Sequence, residues 1–550
     1  MQLFIPSLES LPMELEYLEY PLSPEASPVS SAIDLPPYPC RPGSSTTIDG
    51  NFEDLSTENH ARHRASRKEF NQLRACTSFI CTTRTDVDWC DVARVTVDMA
   101  PDVALLEIFD FYMYEEQIEA WYALVHVCRK WRKVVFGSPQ RLNLRLYCRA
   151  GTPARETLDV WPPLPIVVRV YGDEAWDEDD IVAVLERNDR VCGIDLWPGY
   201  VPNSQLEKLF AAMRQPFPAL TRLQLHCEAR DETAPVFPNS FLGGSAPQLQ
   251  SLILGGIPCP GMPKLLQSAI HLVTLELSGI PHSGYFSPEA MVVGLSVLNR
   301  LERLVIEFDS PQCRPDQKSR RPPPPTRTPL PVLTAFQFKG VGEYLEDLVA
   351  RIDAPLLNDL EITFFHQLIF HTPQLAQFIS RTPRFNAYDG ARVVFSELEV
   401  RITLSQTSDE TLKLGIICNQ SEWQLSSLEQ VRSSFFPQDL LHTVEHLHIL
   451  ENEYWRPDWQ EDIENNQWLE LLHPFTGVKN LILSQKFVPR IAPALQELVG
   501  ERANEVLPAL QSIHLGGLHT SGVVPEVIEQ FVTARCLSGH PIAVIPWTGW

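Results

Sequence analysis

Three histidines come closest to a spacing that could hold a metal ion. His442, His446 and His448 lie within one short stretch, LHTVEHLHIL, and imidazoles that share a face can bind a transition metal. Alternation along a strand puts His446 and His448 on one face and leaves His442 outside the strand. We therefore expect exposed histidines here and no metal site.

One cysteine lies in a setting that could make it a nucleophile. Cys128 is flanked by Arg129 and Lys130, and neighbouring positive charges can lower a thiol pKa. Cys128 also shares a helical apolar stripe with Trp131, so we expect it to pack and not to react. The twelve cysteines have no paired spacing for zinc or a disulfide framework, which suits reduced thiols in the cytoplasm, the nucleus or both.

The sequence lacks the common catalytic motifs. It has no Gly-x-x-x-x-Gly-Lys phosphate loop, no Gly-x-Gly-x-x-Gly turn, no Gly-x-Ser-x-Gly elbow and no His-Glu-x-x-His pair. We therefore expect a protein without enzymatic activity and without a cofactor.

The composition narrows the classes of partner. The 550 residues are 44% hydrophobic and 21% charged, with a net charge of −24. An acidic surface argues against non-specific nucleic-acid binding and against anionic membranes. No apolar run approaches the ~18 residues of a membrane span, and the first residues lack the basic start of a signal peptide.

The elements that organise the chain begin with a helical stretch at 99–139. Its large apolar residues recur at i, i+3, i+4 and i+7, which is typical of amphipathic helices. These stripes contain Leu105, Ile108, Phe109, Tyr112, Ile118, Trp121, Tyr122, Leu124, Val125, Val127, Cys128 and Trp131. A module of about forty residues is too small to bury them all. Some must therefore face the rest of the chain or a partner.

This stretch resembles an F-box, the helical module by which substrate receptors attach to the Skp adaptor of Skp–cullin–F-box ubiquitin ligases. The first half of the family pattern is matched by Pro101, Leu105, Leu106, Ile108 and Phe109, and the second half by the run Val127 to Arg132. Ala100 replaces the usual Leu, and the segment 114–120 departs from the usual short turn. The resemblance implies that Pro101, Leu105, Leu106, Ile108, Phe109 and Trp131 bind a Skp-type adaptor and, through it, a cullin. A helical hairpin that merely packs on its neighbour is the alternative.

A repeat occupies the rest of the chain. Its unit has apolar residues at positions 1, 4 and 6, and helical patterns lie between the units. The first positions are Val191, Leu220, Leu249, Leu272, Leu301, Leu333, Leu357, Val444, Val478 and Leu510. The spacing is 23–34 residues, except for one gap of 87 residues in which we expect two irregular repeats. The unit resembles an irregular leucine-rich repeat, in which short strands stack into a curved solenoid.

Together these patterns predict an α/β protein with four regions. They are a disordered Pro/Ser-rich tail (1–60), a basic connecting segment (61–96), an F-box-like domain (97–140) and a leucine-rich-repeat solenoid (141–550) with a proline-rich loop at 310–331. The expected function is substrate recognition for an E3 ubiquitin ligase. We expect the repeats to bind an unknown protein target through polar strand positions such as Arg222, Gln224, Glu276 and Glu361. The alternative is a repeat scaffold that binds a partner without any ligase.

Overall fold

The computed structural model describes residues 100–547, apart from internal gaps. The gaps are 116–120, 150–153, 160–161, 173–176, 199–201, 228–234, 312–325, 368–369, 386, 407–410, 419, 436–437, 453–463, 499–501, 503 and 517–524. The chain divides into two units, Met1–Val95 and Thr96–Trp550. The tail predicted at 1–60 and the basic segment predicted at 61–96 lie outside the described residues.

Three helices open the described chain. They are α1 (Asp102–Glu115), α2 (Trp121–Val127) and α3 (Arg129–Gly137). Pro101 immediately precedes α1, where its missing N–H costs nothing, and its carbonyl accepts the first helical hydrogen bond from Leu105 N at 3.1 Å. Only Cys128, in an extended conformation, separates α2 from α3. The backbone therefore changes direction at this residue.

A large sheet follows the three helices. Sixteen strands of the described chain form it, and their spatial order follows the sequence over most of its width. The strands are β1 (Leu146–Cys148), β2 (Ile166–Gly172), β3 (Val191–Pro198), β4 (Arg222–His226), β5 (Ser251–Gly255), β6 (Thr274–Ile280), β7 (Arg303–Phe308), β9 (Ala335–Gly340), β11 (Asp359–Phe365), β12 (Gly390–Phe395), β13 (Glu399–Ser405), β14 (Thr411–Ile417), β15 (His446–Glu451), β16 (Asn480–Leu483), β17 (Ser512–Gly516) and β18 (Ala543–Trp547). Apart from the pairs β12–β13 and β13–β14, neighbouring strands are parallel.

Helices connect the strands and cover one face of the sheet. They are α4 (Ala154–Thr157), α5 (Glu178–Leu185), α6 (Asn203–Ala212), α7 (Met262–Leu266), α8 (Pro288–Leu295), α9 (Gly342–Val349), α10 (Pro373–Arg381), α11 (Trp423–Phe435), α12 (Gln438–Leu441), α13 (Asn465–Leu472), α14 (Val488–Gln496) and α15 (Glu526–Leu537). Their apolar residues bury the apolar strand positions: Leu223 and Leu225 of β4, for example, belong to the same core as Leu206 and Leu209 of α6. All ten predicted repeat strands are present, so this part of the prediction is confirmed. The chain is thus a mixed α/β protein with a large, mainly parallel sheet.

The gap of 87 residues differs from the prediction of two irregular repeats. After β11 the chain leaves two strand positions of the sheet open and forms β12 beyond them. It then returns through β13 and β14, which fill these two positions, so that the spatial order is β11–β14–β13–β12–β15. A tight turn makes the reversal possible: Ser396 N donates to the carbonyl of Glu399 at 2.8 Å. The antiparallel strands β12 and β13 each alternate buried and more exposed residues, which is the pattern of hairpin strands.

The proline-rich segment predicted as a loop at 310–331 contains a short strand. Strand β8 (Thr328–Pro329) pairs in parallel with β10 (Ile352–Asp353), while 312–325 lie outside the described residues. In the segment 142–148, Leu142, Leu144 and Leu146 alternate with polar residues, a pattern typical of a half-buried strand. Only Leu146–Cys148 is a strand. Leu142 and Leu144 are buried but lie outside the strand, and Asn143 between them takes a left-handed conformation with φ of 47°.

Four consecutive acidic residues at 177–180 lie at the start of α5, where carboxylates interact favourably with the helix dipole. Asp177 caps α5, and its side chain accepts from Asp179 N. None of the described helices is both long and apolar enough to cross a lipid bilayer.

Candidate functional site

The three-helix module, α1 to α3, divides the predicted adaptor-binding residues between its interior and its surface. Leu105, Leu106 and Phe109 are 2%, 8% and 0% exposed, so they form the module's own core. Trp131 is half-buried, with its ring edge-on to that of Phe109 at a centroid distance of 4.7 Å. These four side chains therefore hold the helices together.

The remaining two predicted residues lie on the surface, Pro101 just before α1 and Ile108 within it. Pro101 is exposed, and Ile108 is 55% exposed. Together with Ala104 they fall at i, i+3 and i+7, which places them on one stripe of the helix surface. We call Pro101, Ala104 and Ile108 the outer stripe. Val103, at 64% exposure, adds apolar surface on the same helix.

The residues of the motif Val127 to Arg132 have structural roles that explain their types. The Sγ atom of Cys128 accepts from Trp131 N at 3.4 Å and so caps the start of α3. Lys130 Nζ donates to the carbonyl of Ala100 at 2.6 Å, and Arg132 Nε donates to the carbonyl of Val125 at 2.9 Å. The motif thus fixes α3 against the start of α1 and the end of α2. Val127 takes no part in the core and is 57% exposed.

The module is also joined to the sheet. Trp121 is 2% exposed, and its Nε1 donates to the carbonyl of Arg145 at 3.0 Å, next to β1. Arg141 forms an ion pair with Glu107 of α1. The buried leucines Leu142 and Leu144 continue the core of the module into that of the sheet. The module is therefore packed on the first strands of the array.

The polar strand positions predicted for target binding lie on the sheet but differ in their contacts. Arg222 donates to Gln224 at 2.9 Å, and Gln224 is only 8% exposed. Glu361 pairs with Lys413 and with Arg401, each at 3.3 Å. Glu276 lies between Ile253 and Val305 in the neighbouring strands. Sequence spacing thus found polar strand positions, but not the contacts that some of them make with neighbouring side chains.

The three histidines differ in their contacts and in their burial. His442 contacts Thr476 at 2.6 Å, and His446 contacts Asn480 at 3.2 Å. His448 is half-buried and not exposed, which differs from the prediction. Burial, together with the nearby positive charge of Arg392 and the rings of His446 and His514, lowers its pKa to about 4. Within the described ranges, no group of three or more His, Cys, Asp or Glu side chains could hold a metal ion.

Three of the described cysteines are deeply buried thiols: Cys148, Cys227 and Cys259. Seven cysteines are described, and all are free. Burial raises the pKa of Cys148, Cys227 and Cys259 to about 12. A thiol with so high a pKa stays protonated and is a poor nucleophile.

Sequence reasoning missed a cleft between the module and the first strands. The cleft has a volume of about 410 Å³. It is lined by Asp110, Leu142, Asn143, Arg145, Tyr147, Val167, Arg169, Gly193, Ile194, Asp195 and Arg222. We call it the arginine cleft. A signal was present in the sequence, because Arg169 lies between the alternating apolar residues of β2. The sequence alone did not show that Arg145, Arg169 and Arg222 meet.

Comparison with known proteins adds little to this description. No family model matches the sequence, and no curated protein matches it. Among solved structures, the leucine-rich repeat-containing protein LegL7 from Legionella pneumophila aligns with 13% identity and a TM-score of 0.25, covering 72% of this chain and 97% of that chain. A likeness at this level assigns neither fold nor function.

Proposed function

We propose that this protein is the substrate-recognition subunit of a Skp–cullin–F-box-type E3 ubiquitin ligase. Its F-box-like module binds a Skp-type adaptor and, through it, a cullin. Its strand–helix units form a leucine-rich-repeat solenoid that binds a protein target. The chain works in the cytoplasm, the nucleus or both, and it performs no chemistry of its own.

One observation carries the proposal: the module keeps an apolar surface after its own core is complete. Leu105, Leu106 and Phe109 fill the interior, whereas Ile108 of the outer stripe is 55% exposed and Val103 is 64% exposed. A module that served only to cap the sheet would gain nothing from apolar residues turned towards solvent. Apolar residues grouped on a surface are typical of contacts between proteins.

The mechanism is proximity. A target held by the repeats lies near the ubiquitin-charged enzyme that the cullin recruits, so its lysines meet a raised effective concentration of the activated thioester. The module is packed directly on the first strands, without a flexible linker between them. The position of the bound adaptor therefore fixes the position of the sheet.

The test is the binding of the full chain to a purified Skp-type adaptor, measured by titration calorimetry. The informative variant is Ile108→Asp, because this side chain lies on the outer stripe and not in the core. We expect a loss of affinity of at least about tenfold, since removing an apolar anchor at an interface costs about 2 kcal/mol or more. Variants of Leu105, Leu106 or Phe109 would open the module's core and cannot serve this purpose.

A matched control is available in the same chain. Ile270 is 50% exposed and lies in the repeats, so Ile270→Asp makes the same change at almost the same exposure. We expect Ile270→Asp to bind the adaptor like the parent. The proposal fails if the folded parent does not bind, or if both variants lose affinity equally.

The alternative is a repeat scaffold without a ligase. It is favoured by the continuous core between module and sheet, in which Leu105 and Phe109 belong to the same cluster as Leu142 and Leu146. In that case the three helices act as an N-terminal cap. If the folded parent protein does not bind the adaptor, the scaffold alternative is the correct one.

A further inference from the structure

The arginine cleft has the shape of a binding site because one strand position lacks a side chain. Gly193 of β3 pairs with Val167 of β2 on one side and with Arg222 of β4 on the other. A Cβ atom at Gly193 would lie 3.3 Å from Cγ1 of Val167. The absent side chain therefore opens the sheet surface between its neighbours. A volume of about 410 Å³ is within the usual range for sites that bind small groups.

The floor of the cleft is apolar. Tyr147, Val167 and Cys192 form a buried cluster separate from the main core. The main core lies between the sheet and the helices. This small cluster therefore belongs to the face of the sheet that the helices do not cover. Tyr147 and Val167 both line the cleft. An occupant can therefore place apolar atoms on this floor.

Positive charge is concentrated in the cleft although the chain carries a net charge of −24. Three guanidinium groups, those of Arg145, Arg169 and Arg222, line it together with two carboxylates. Arg145 donates to the neutral Oδ1 of Asn143 at 3.1 Å, and Arg222 donates to the neutral Oε1 of Gln224 at 2.9 Å. These bonds leave both charges in place, and each guanidinium has five N–H donors. The cleft therefore favours an anionic group.

A buried carboxylate in the same cleft sets a second requirement. Asp195 is 3% exposed. Its Oδ2 accepts the hydroxyl of Tyr171 and lies 3.7 Å from Nε of Arg169. Its Oδ1 and the Nε of Arg169 have no hydrogen-bond partner among the described residues. A buried polar atom without a partner is destabilising. An occupant that carries an N–H donor next to its anionic group would therefore satisfy Oδ1 of Asp195 as well as the guanidinium groups.

We propose that the arginine cleft binds the carboxy-terminal end of a peptide chain. The terminal carboxylate lies among the guanidinium groups, the preferred partners of carboxylates. The last amide N–H donates to Oδ1 of Asp195, and the last side chain packs on the apolar floor. A phosphate dianion meets the first requirement, but it brings no N–H donor for Oδ1 of Asp195. The inference rests on the proposed function, in that the peptide end is that of a target protein.

The test uses the immobilised full chain and N-acetylated random hexapeptide pools. One pool has free terminal carboxylates. The second has the same sequences with terminal amides, and the third is amidated and contains one phosphoserine. Mass spectrometry measures how much of each pool the protein retains. We expect the free-carboxylate pool to be retained at least about tenfold better than the amidated pool, since a charge-assisted hydrogen bond contributes about 1.5–3 kcal/mol.

A matched pair of variants locates the binding. Arg222 and Arg303 are both exposed and begin parallel strands in the same row of the sheet, but only Arg222 lines the cleft. We expect Arg222→Gln to abolish the preference for the free carboxylate and Arg303→Gln to retain it. Circular dichroism confirms that both variants are folded.

Any of the following results would overturn the inference: equal retention of the free and amidated pools, preferential retention of the phosphoserine pool, or an equal effect of the two arginine variants. Preference for amidated peptides with internal Asp or Glu would also exclude a chain terminus as the source of the carboxylate. Adaptor binding is measured separately on the same preparation, so a failure of this inference is distinguishable from a failure of the proposed function.

Discussion

The indole ring of Trp131 meets the phenyl ring of Phe109 edge to face, with centroids 4.7 Å apart. This contact joins the first and the third helices of the module, and each residue lies in one half of the motif from which an adaptor-binding role was predicted. Phe109 is fully buried. The relationship therefore explains why these two residue types occur together even before a partner is considered.

Replacing Phe109 by Ala should destabilise the module. The substitution removes a ring with 0% exposure and leaves a cavity against Trp131, so the loss should be about 3–5 kcal/mol in the free energy of unfolding. Amide hydrogen exchange over 102–137 measures this loss locally. Ile108→Ala is the control, since its side chain is largely exposed, and it should change protection little. Unchanged protection in Phe109→Ala would contradict the assignment of this residue to the core.

Acidification should destabilise the repeats through His448. The folded state holds the pKa of His448 at about 4, below the usual value of 6.5, because burial and the nearby Arg392 disfavour the imidazolium. The unfolded chain therefore binds a proton in a window where the folded chain does not. The contribution of neutral His448 to the free energy of unfolding is complete above about pH 6.5 and is lost as the pH falls towards 4. This loss lowers the free energy of unfolding by about 2–3 kcal/mol after discounting for partial exposure.

Denaturant unfolding between pH 4 and pH 7 measures this dependence. His448→Gln removes the titrating group and should flatten the slope in that window. His514 has a pKa lowered by burial, so some slope should persist in the variant. If parent and variant show the same slope, the neutral buried state of His448 is wrong.

Gly477 should not tolerate a side chain. A Cβ atom at this position would lie 2.0 Å from the carbonyl oxygen of His442, and a backbone atom cannot move aside as a flexible side chain can. We expect Gly477→Ala to destabilise the protein by about 1–3 kcal/mol. At Gly137, the last residue of α3, a Cβ would meet nothing within 4 Å. Gly137→Ala should therefore be neutral or slightly stabilising, and thermal unfolding that ranks the two variants the other way would refute the close contact.

Much of the fold followed from periodicity. An apolar residue recurring two positions after another can bury both only on one face of a strand, and each such pair, from Val191 onwards, did form a strand under a layer of helices. The same argument placed helices between the strands. Local patterns of this kind are readable because burial acts on every repeat in the same way.

The antiparallel strands β12 to β14 were not predicted as such. Their alternation fits a parallel or an antiparallel neighbour equally well, because the period of two is the same in both. The direction was decided by the turn at Ser396 and by the pairing of Gly390 with Ser405. A local sequence pattern does not specify which strands pair or in which direction.

The sequence by itself determined the types of residue in the module and the existence of its helices. Only the tertiary structure decided which side of each helix faces inwards. A helical stripe has no mark that distinguishes packing against its own chain from packing against a partner, since both bury the same apolar atoms. Thus Phe109 and Ile108, adjacent in sequence and alike in character, ended on opposite sides. For the same reason Arg145, Arg169 and Arg222, spread over 78 residues, line one cleft only because strands β1 to β4 pair side by side.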